Sequence, residues 1–153
     1  MANCVPLNDG AASSVRNRAI GNPYRIETSC HYASMRQIHA AIEHWQRADF
    51  ECAMTLAGAA EGMLPDIDEP HFRELQNFTR INEISNWLIQ SASQNGGKDD
   101  PGDTVIIEEI DAIVAIYRAT LKFEATFCKD KTPQMTSFRN CGRVQTRVQS
   151  QPT

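Results

Sequence analysis

Few residues in this chain have side chains that could do chemistry, and they are scattered. Four histidines, His31, His39, His44 and His71, and five cysteines, Cys4, Cys30, Cys52, Cys128 and Cys141, make up its metal-ligating and nucleophilic inventory. His39 and His44 fall about 140° apart around a helix axis, so their imidazoles do not share a face. His31 directly follows Cys30, and His71 stands alone at the start of another helical stretch. With no ligand-spaced pair of histidines and no Cys-x-x-Cys, neither a metal nor a cofactor is expected. Nucleophilic catalysis has no better footing. There is no Gly-x-Ser-x-Gly, and Gly96-Gly97 lacks the strand-to-helix context of a phosphate loop. Cys52 lies near a helix start, where a thiolate is favoured, but Asp49 and Glu51 oppose its ionisation and an inert thiol is expected.

The elements that would position these residues are helical. At 153 residues, 41% hydrophobic and 22% charged, the chain fits one globular domain with a single core. Met35, Ile38, Ala41, Ile42 and Trp45 recur at three- and four-residue intervals after Ser34, a predicted N-cap, and mark a first helix running to about Arg47. Asp49 caps a second helix after a very short link, so the two are expected to be antiparallel neighbours. That second stretch, Asp49–Leu64, is small on nearly every side through Ala53, Ala57, Gly58, Ala59 and Ala60. Gly58 costs a helix interior about 1 kcal/mol, and close approach of a neighbouring backbone is the expected compensation. The stretch therefore reads as the central helix of a bundle.

Pro65 closes it, and Pro70 suits the first turn of a third helical region, His71–Ser93. A break is predicted near Thr79–Asn82, with Asn82 as a fresh cap. Gln94–Asp103 is a loop, rich in chain-turning pairs. Thr104-Val105-Ile106-Ile107 has strand propensity. Helical spacing resumes at Glu108 with Ile110, Ile113, Val114, Tyr117 and Leu121 on one face. The expected fold is an all-α up-and-down bundle of four or five helices over residues 31–128. An irregular segment (1–30) precedes it, and a flexible basic tail (129–153) follows it.

Charge divides along the same boundaries. Residues 1–25 carry +2, residues 129–153 carry +4, and the segment between carries −10. An acidic body repels phosphate backbones, so nucleic acid is not an expected partner of the domain. The basic tail reads as a solvated terminus. No apolar run approaches a membrane span and no secretory signal is apparent, so cytoplasmic residence with reduced thiols is expected.

Within the second helix Glu61 turns towards the buried side, where a carboxylate needs a partner. Arg118, among Ile113, Val114 and Leu121 on the last long helix, is the natural cation. Three short blocks then carry a family likeness: Ala57-Gly58-Ala59-Ala60-Glu61, the segment Ser85-Asn86-Trp87-Leu88-Ile89-Gln90, and Arg118-Ala119. Together they resemble the HEPN-like helical-bundle proteins, closest to an uncharacterised bacterial branch with an Ala-Gly-Ala-Ala-Glu block. The resemblance covers roughly Ser34 to Phe127. Catalytic members of that superfamily are ribonucleases that act through an Arg and a His across a dimer interface. Here Ser85 and Gln90 occupy those two positions and only Asn86 matches, so the resemblance implies a degenerate site: serine offers no cation and glutamine no proton shuttle.

What the resemblance implies is a non-catalytic homodimer, acting through a ligand or protein partner, with Asn86 and Trp87 at the two-fold interface. The candidate binding or interface residues are Glu61, Ser85, Asn86, Trp87, Gln90 and Arg118. Two alternatives stand beside this: a ribonuclease with a shifted site using Arg118, Asn86 and His71, and a small-molecule pocket between helices. An anionic ligand would require Arg118, Arg80 or Arg36 to converge.

Overall fold

The structure, a computed structural model, describes residues 25–94, 104–128 and 130–149, with side chains except at 90–94. Expectations for residues 1–24, for most of the Gln94–Asp103 loop and for the Gln90 side chain lie outside that set. The described fold is all-α, with no strand among the described residues. Its helices are α1 (Cys30–Gln46), α2 (Phe50–Met63), α3 (Pro70–Gln76), α4 (Thr79–Gln94), α5 (Glu109–Thr126), α6 (Pro133–Asn140) and α7 (Gly142–Gln149).

The α1 helix begins a turn earlier than Ser34 predicts. Ser29 is the N-cap and accepts from the Tyr32 amide at 3.3 Å, while Ser34 is fully buried and bonds back to the Cys30 carbonyl. The expected face of Ile38, Ala41, Ile42 and Trp45 is buried. Chain reversal into α2 takes three residues. The Asp49 amide donates to the His44 carbonyl at 2.9 Å and the Ala48 amide to the Trp45 carbonyl at 3.0 Å. This pair of bonds is the Schellman closure of a helix C-terminus, which places Ala48 in the left-handed region at φ 60°.

In α2 the fully buried residues are Ala53, Ala57 and Ala60, with Met54 almost so. They pack on α1 and on α5. The expectation for Gly58 is corrected: a methyl group built there would meet nothing within 4 Å, so no neighbour uses its small size. The alanines on the opposite phase allow the close approach instead. The position of deepest burial also differs from expectation. It belongs to α5, whose buried set runs almost continuously from Asp111 to Thr120 and on to Phe123. The helix is walled by α1 and α2 on one flank, by α3 and α4 on another, and by α7.

The break in the third helical region falls at Asn77–Phe78, just ahead of the predicted window. Residues 104–108 form no strand but alternate like one. Val105 and Ile107 pack on the core while Ile106 is 75% exposed.

The C-terminal segment departs most from its expected form. Residues 133–149 are two short helices, and they bury Met135, Phe138 and Val144. Thr132 caps α6 and Pro133 opens it. The His39 Nε2 and Thr132 Oγ1 lie 2.7 Å apart, the Gln134 side chain donates to the His39 carbonyl, and Phe138 meets Trp45 edge-on with ring centroids 5.2 Å apart. Burial holds the His39 imidazole below its ordinary pKa, with Glu43 opposing. Cys30, Cys52 and Cys141 are free thiols.

Two backbone positions carry the residue suited to the other. Gly58→Ala should stabilise the fold by about 1 kcal/mol, since helix propensity rises and the new methyl meets open space. Ala48→Gly should also stabilise, by about 1 kcal/mol, by relieving the left-handed backbone. Urea unfolding of both variants checks this, and a loss of stability in either would contradict the assignment.

Candidate functional site

Two polar constellations stand out within the bundle, and they have different characters. The first is a buried clasp. Arg118 projects from α5, with its side chain 8% exposed. Its Nη2 donates to Glu61 Oε1 on α2 at 2.8 Å, and its Nη1 donates to Asn82 Oδ1 on α4 at 2.9 Å. The Asn82 amide nitrogen in turn donates to the Gln76 carbonyl at the end of α3, at 3.0 Å. Asn82 is therefore not the helix cap that its position predicts. The Glu61–Arg118 pair forms as the helical phases of α2 and α5 imply.

The other residues singled out from the sequence do not join this clasp. On α4, Ser85 and Trp87 are half-buried, Asn86 is exposed, and Ile89 is 62% exposed. Arg80 is committed to Asp111, donating from Nε and Nη2 at 2.8 and 2.9 Å, and this carboxylate raises its pKa further. Arg36 is exposed on α1. The three arginines needed for an anion site of the expected kind do not converge. Nor do the residues of a shifted ribonuclease site: Arg118 is held in the clasp, Asn86 faces outward, and His71 lies in a separate cleft.

That cleft is the second constellation, of about 550 Å³ between α3, α5, α6 and α7. Its polar floor is Glu124, from the last turns of α5. The Glu124 Oε2 accepts from Arg139 on α6 and lies 3.5 Å from the Lys131 Nζ. Its other oxygen, Oε1, is buried with no hydrogen-bond partner, on a side chain only 10% exposed. The Arg139 guanidinium also sits over the Tyr117 ring, 5.3 Å from its centroid, and His71 meets the same ring edge-on. Asn140 and Gln145 complete the polar wall.

Sequence reasoning missed this cleft because most of it comes from the segment read as a tail. The available signal was the i, i+3 spacing of Met135 and Phe138 after a Thr-Pro helix start, which places Arg139 beside a buried face. The Cys52 thiol agrees with its expected inertness. Its hydrogen bond to Asp49, with Glu51 adding charge, pushes it above the usual thiol range, while the His44 contact holds Asp49 below the usual carboxylate range.

No protein-family model matches the chain, and no curated protein or solved structure matches it either.

Removing one member of the clasp leaves an uncompensated charge in the interior. Arg118→Leu should cost about 3 kcal/mol, because Glu61 and Asn82 both lose their donor. The double variant Glu61→Leu/Arg118→Leu should be less destabilised than Arg118→Leu alone, since neither charge remains. Denaturant unfolding of the two variants decides it, and a double variant weaker than the single would show that the pair stabilises in its own right.

Proposed function

We propose that this protein is a non-catalytic binding bundle whose ligand is a small polar molecule seated in the cleft between α3, α5, α6 and α7. The observation that carries this reading is the unpartnered Glu124 Oε1. A buried acceptor without a donor costs about 1–3 kcal/mol, and a ligand N–H or O–H would recover that cost once the side chains covering the oxygen give way on binding. Arg139 and Lys131 share the one carboxylate, so the cluster keeps a net positive charge and suits an anionic group on the same ligand. Tyr117 and Val148 supply apolar wall, and the cleft volume is in the range of small-molecule sites. A donor adjacent to an acid group describes amino acids, hydroxy acids and nucleotides.

Thermal shift against a panel of those three classes tests the proposal. A true ligand at a hundredfold excess over its Kd should add about 2.7 kcal/mol, a shift of several degrees. Glu124→Gln should weaken the same ligand at least about tenfold, because one of the two acceptor oxygens becomes a donor and the carboxylate that holds Arg139 and Lys131 loses its charge. A panel in which no member shifts the protein, or a ligand indifferent to Glu124→Gln and Arg139→Gln, would refute it.

A second reading is the HEPN-like dimer, paired through α4. In its favour is Ile89, a large apolar side chain left 62% exposed one turn beyond the exposed Asn86. Light scattering at high concentration should then give a dimer that Ile89→Lys dissociates. A strict monomer sinks that reading and leaves the cleft untouched.

A further inference from the structure

The tight reversal between α1 and α2 gathers three unlike ligand atoms. His44 leaves the last turn of α1, Asp49 is the N-cap of α2, and Cys52 lies three residues into it. The His44 Nδ1, an Asp49 carboxylate oxygen and the Cys52 Sγ all fall within 4.8 Å of one another. We infer that these three residues form a surface site for a divalent cation of borderline softness, with Zn2+ the best match, held as an open tripod whose fourth position is left to water.

The donor set selects the ion. Imidazole, carboxylate and thiolate together suit zinc, whereas magnesium and calcium take oxygen alone. Tetrahedral zinc with these ligands separates neighbouring donor atoms by about 3.5 Å. His44 Nδ1 and Asp49 Oδ2 are now 2.8 Å apart, so they must part slightly while the thiol closes in. All three side chains have room to do so: Cys52 is exposed, and the His44 and Asp49 side chains are 31% and 40% exposed. The backbone need not move, because the Schellman closure at Ala48 already brings residues 44 and 49 together.

The charges around the turn favour the cation. It meets the negative end of the α1 dipole, and its own charge supplies what Asp49 and Glu51 deny the free thiol, a reason for Cys52 to give up its proton. Glu51, on the same turn as Cys52, adds negative charge beside the site. Binding exchanges the thiol proton for the metal: the S–H bond breaks, the sulfur lone pair coordinates the cation, and the proton passes to solvent. No oxidant or reductant is involved.

Cobalt(II) is the probe, because a thiolate ligand gives it a charge-transfer absorption that oxygen and nitrogen ligands do not. Full-length protein titrated with Co2+ should develop that band to one equivalent, release protons, and lose the band when Zn2+ is added. Cys52→Ser should abolish it, and Asp49→Asn should weaken binding at least about tenfold. Cys30→Ser and Cys141→Ser, which alter the other free thiols among the described residues, should leave it unchanged. Circular dichroism confirms that each variant is folded. No band with wild-type protein at millimolar Co2+, or a band that survives in folded Cys52→Ser, would overturn the assignment.

Discussion

A single buried guanidinium constrains this fold more than any other group. Arg118 is nearly removed from water, and a charge in that position is tolerated only when its hydrogen-bonding directions are met. Its two terminal nitrogens are met by side chains from two other helices, Glu61 of α2 and Asn82 of α4, while its Nε is buried without a partner, and Asn82 passes the constraint on to the Gln76 carbonyl at the end of α3. Four helices thus take their relative positions from one cation. Asp111 repeats the arrangement seven residues earlier on α5, two turns away on nearly the same face. There the polarity is reversed: α5 supplies the acid and Arg80 of α4 the cation. The Asp111 carboxylate also accepts from the Glu108 amide at 2.8 Å, so the same group starts α5 and seats α4 against it. Apolar packing among alanines is permissive of sliding. These two polar seams are not, since a shift of one residue would strand both charges.

The small residues of α2 work against that background. Ala53, Ala57 and Ala60 let α1 and α5 come close, and the alanine-rich face of α5, with Ala112, Ala115 and Ala119, answers them. Each such contact buries little area, and the stability must come from the larger groups at the layer's edges, Ile38, Ile42, Met54, Ile113, Ile116 and Phe123. The glycine at position 58 contributes nothing to this approach, and the alanine at 48 occupies a turn where glycine would be at ease. Neither choice is required by packing. Ala48 is tolerated because the Schellman bonds, the Asp49 cap and the His44–Asp49 contact all hold the same turn.

Those details explain what was legible in the residues and what was not. The face of α1 could be read from periodicity, and the boundaries at Pro65 and Pro70 from proline itself. On α5 the apolar spacing found Ile113 and Val114 but named Ile110, Tyr117 and Leu121, which are half-buried, in place of the buried Ala112, Ala115, Ile116, Ala119 and Phe123. The Glu61–Arg118 pair could be read as well, since Glu61 turns towards the buried side of α2 and Arg118 stands among Ile113, Val114 and Leu121 on α5. The short α1–α2 link and its Asp49 cap could be read too; only the Schellman form of the turn was hidden, by the absence of glycine at position 48, and Ser34 imitated a cap that Ser29 supplies. The two C-terminal helices were hidden for a different reason. Each is eight residues long with two or three apolar groups, too short to show a period, and their stability comes from docking on Trp45 and α5 rather than from their own propensity. The cleft inherits that obscurity, because it exists only once the last two helices are docked.

The charge division along the chain then acquires a structural meaning. The basic C-terminal segment packs on the acidic body: Arg143 meets Glu109 at 2.7 Å, and Lys131 and Arg139 meet Glu124. The first of these pairs is balanced and lies at the surface, where it contributes little. The second is not balanced, because two cations converge on one largely buried carboxylate. Excess positive charge of the docked segment therefore faces the cleft, where the Lys131 and Arg139 side chains, 54% and 27% exposed, still meet solvent that screens them. On the proposed reading, an acidic protein with a positive cleft repels anions from most of its surface and receives them in that cleft. Selectivity of that kind would follow from where the basic segment docks, with the orphaned oxygen of Glu124 asking for a donor on the same ligand.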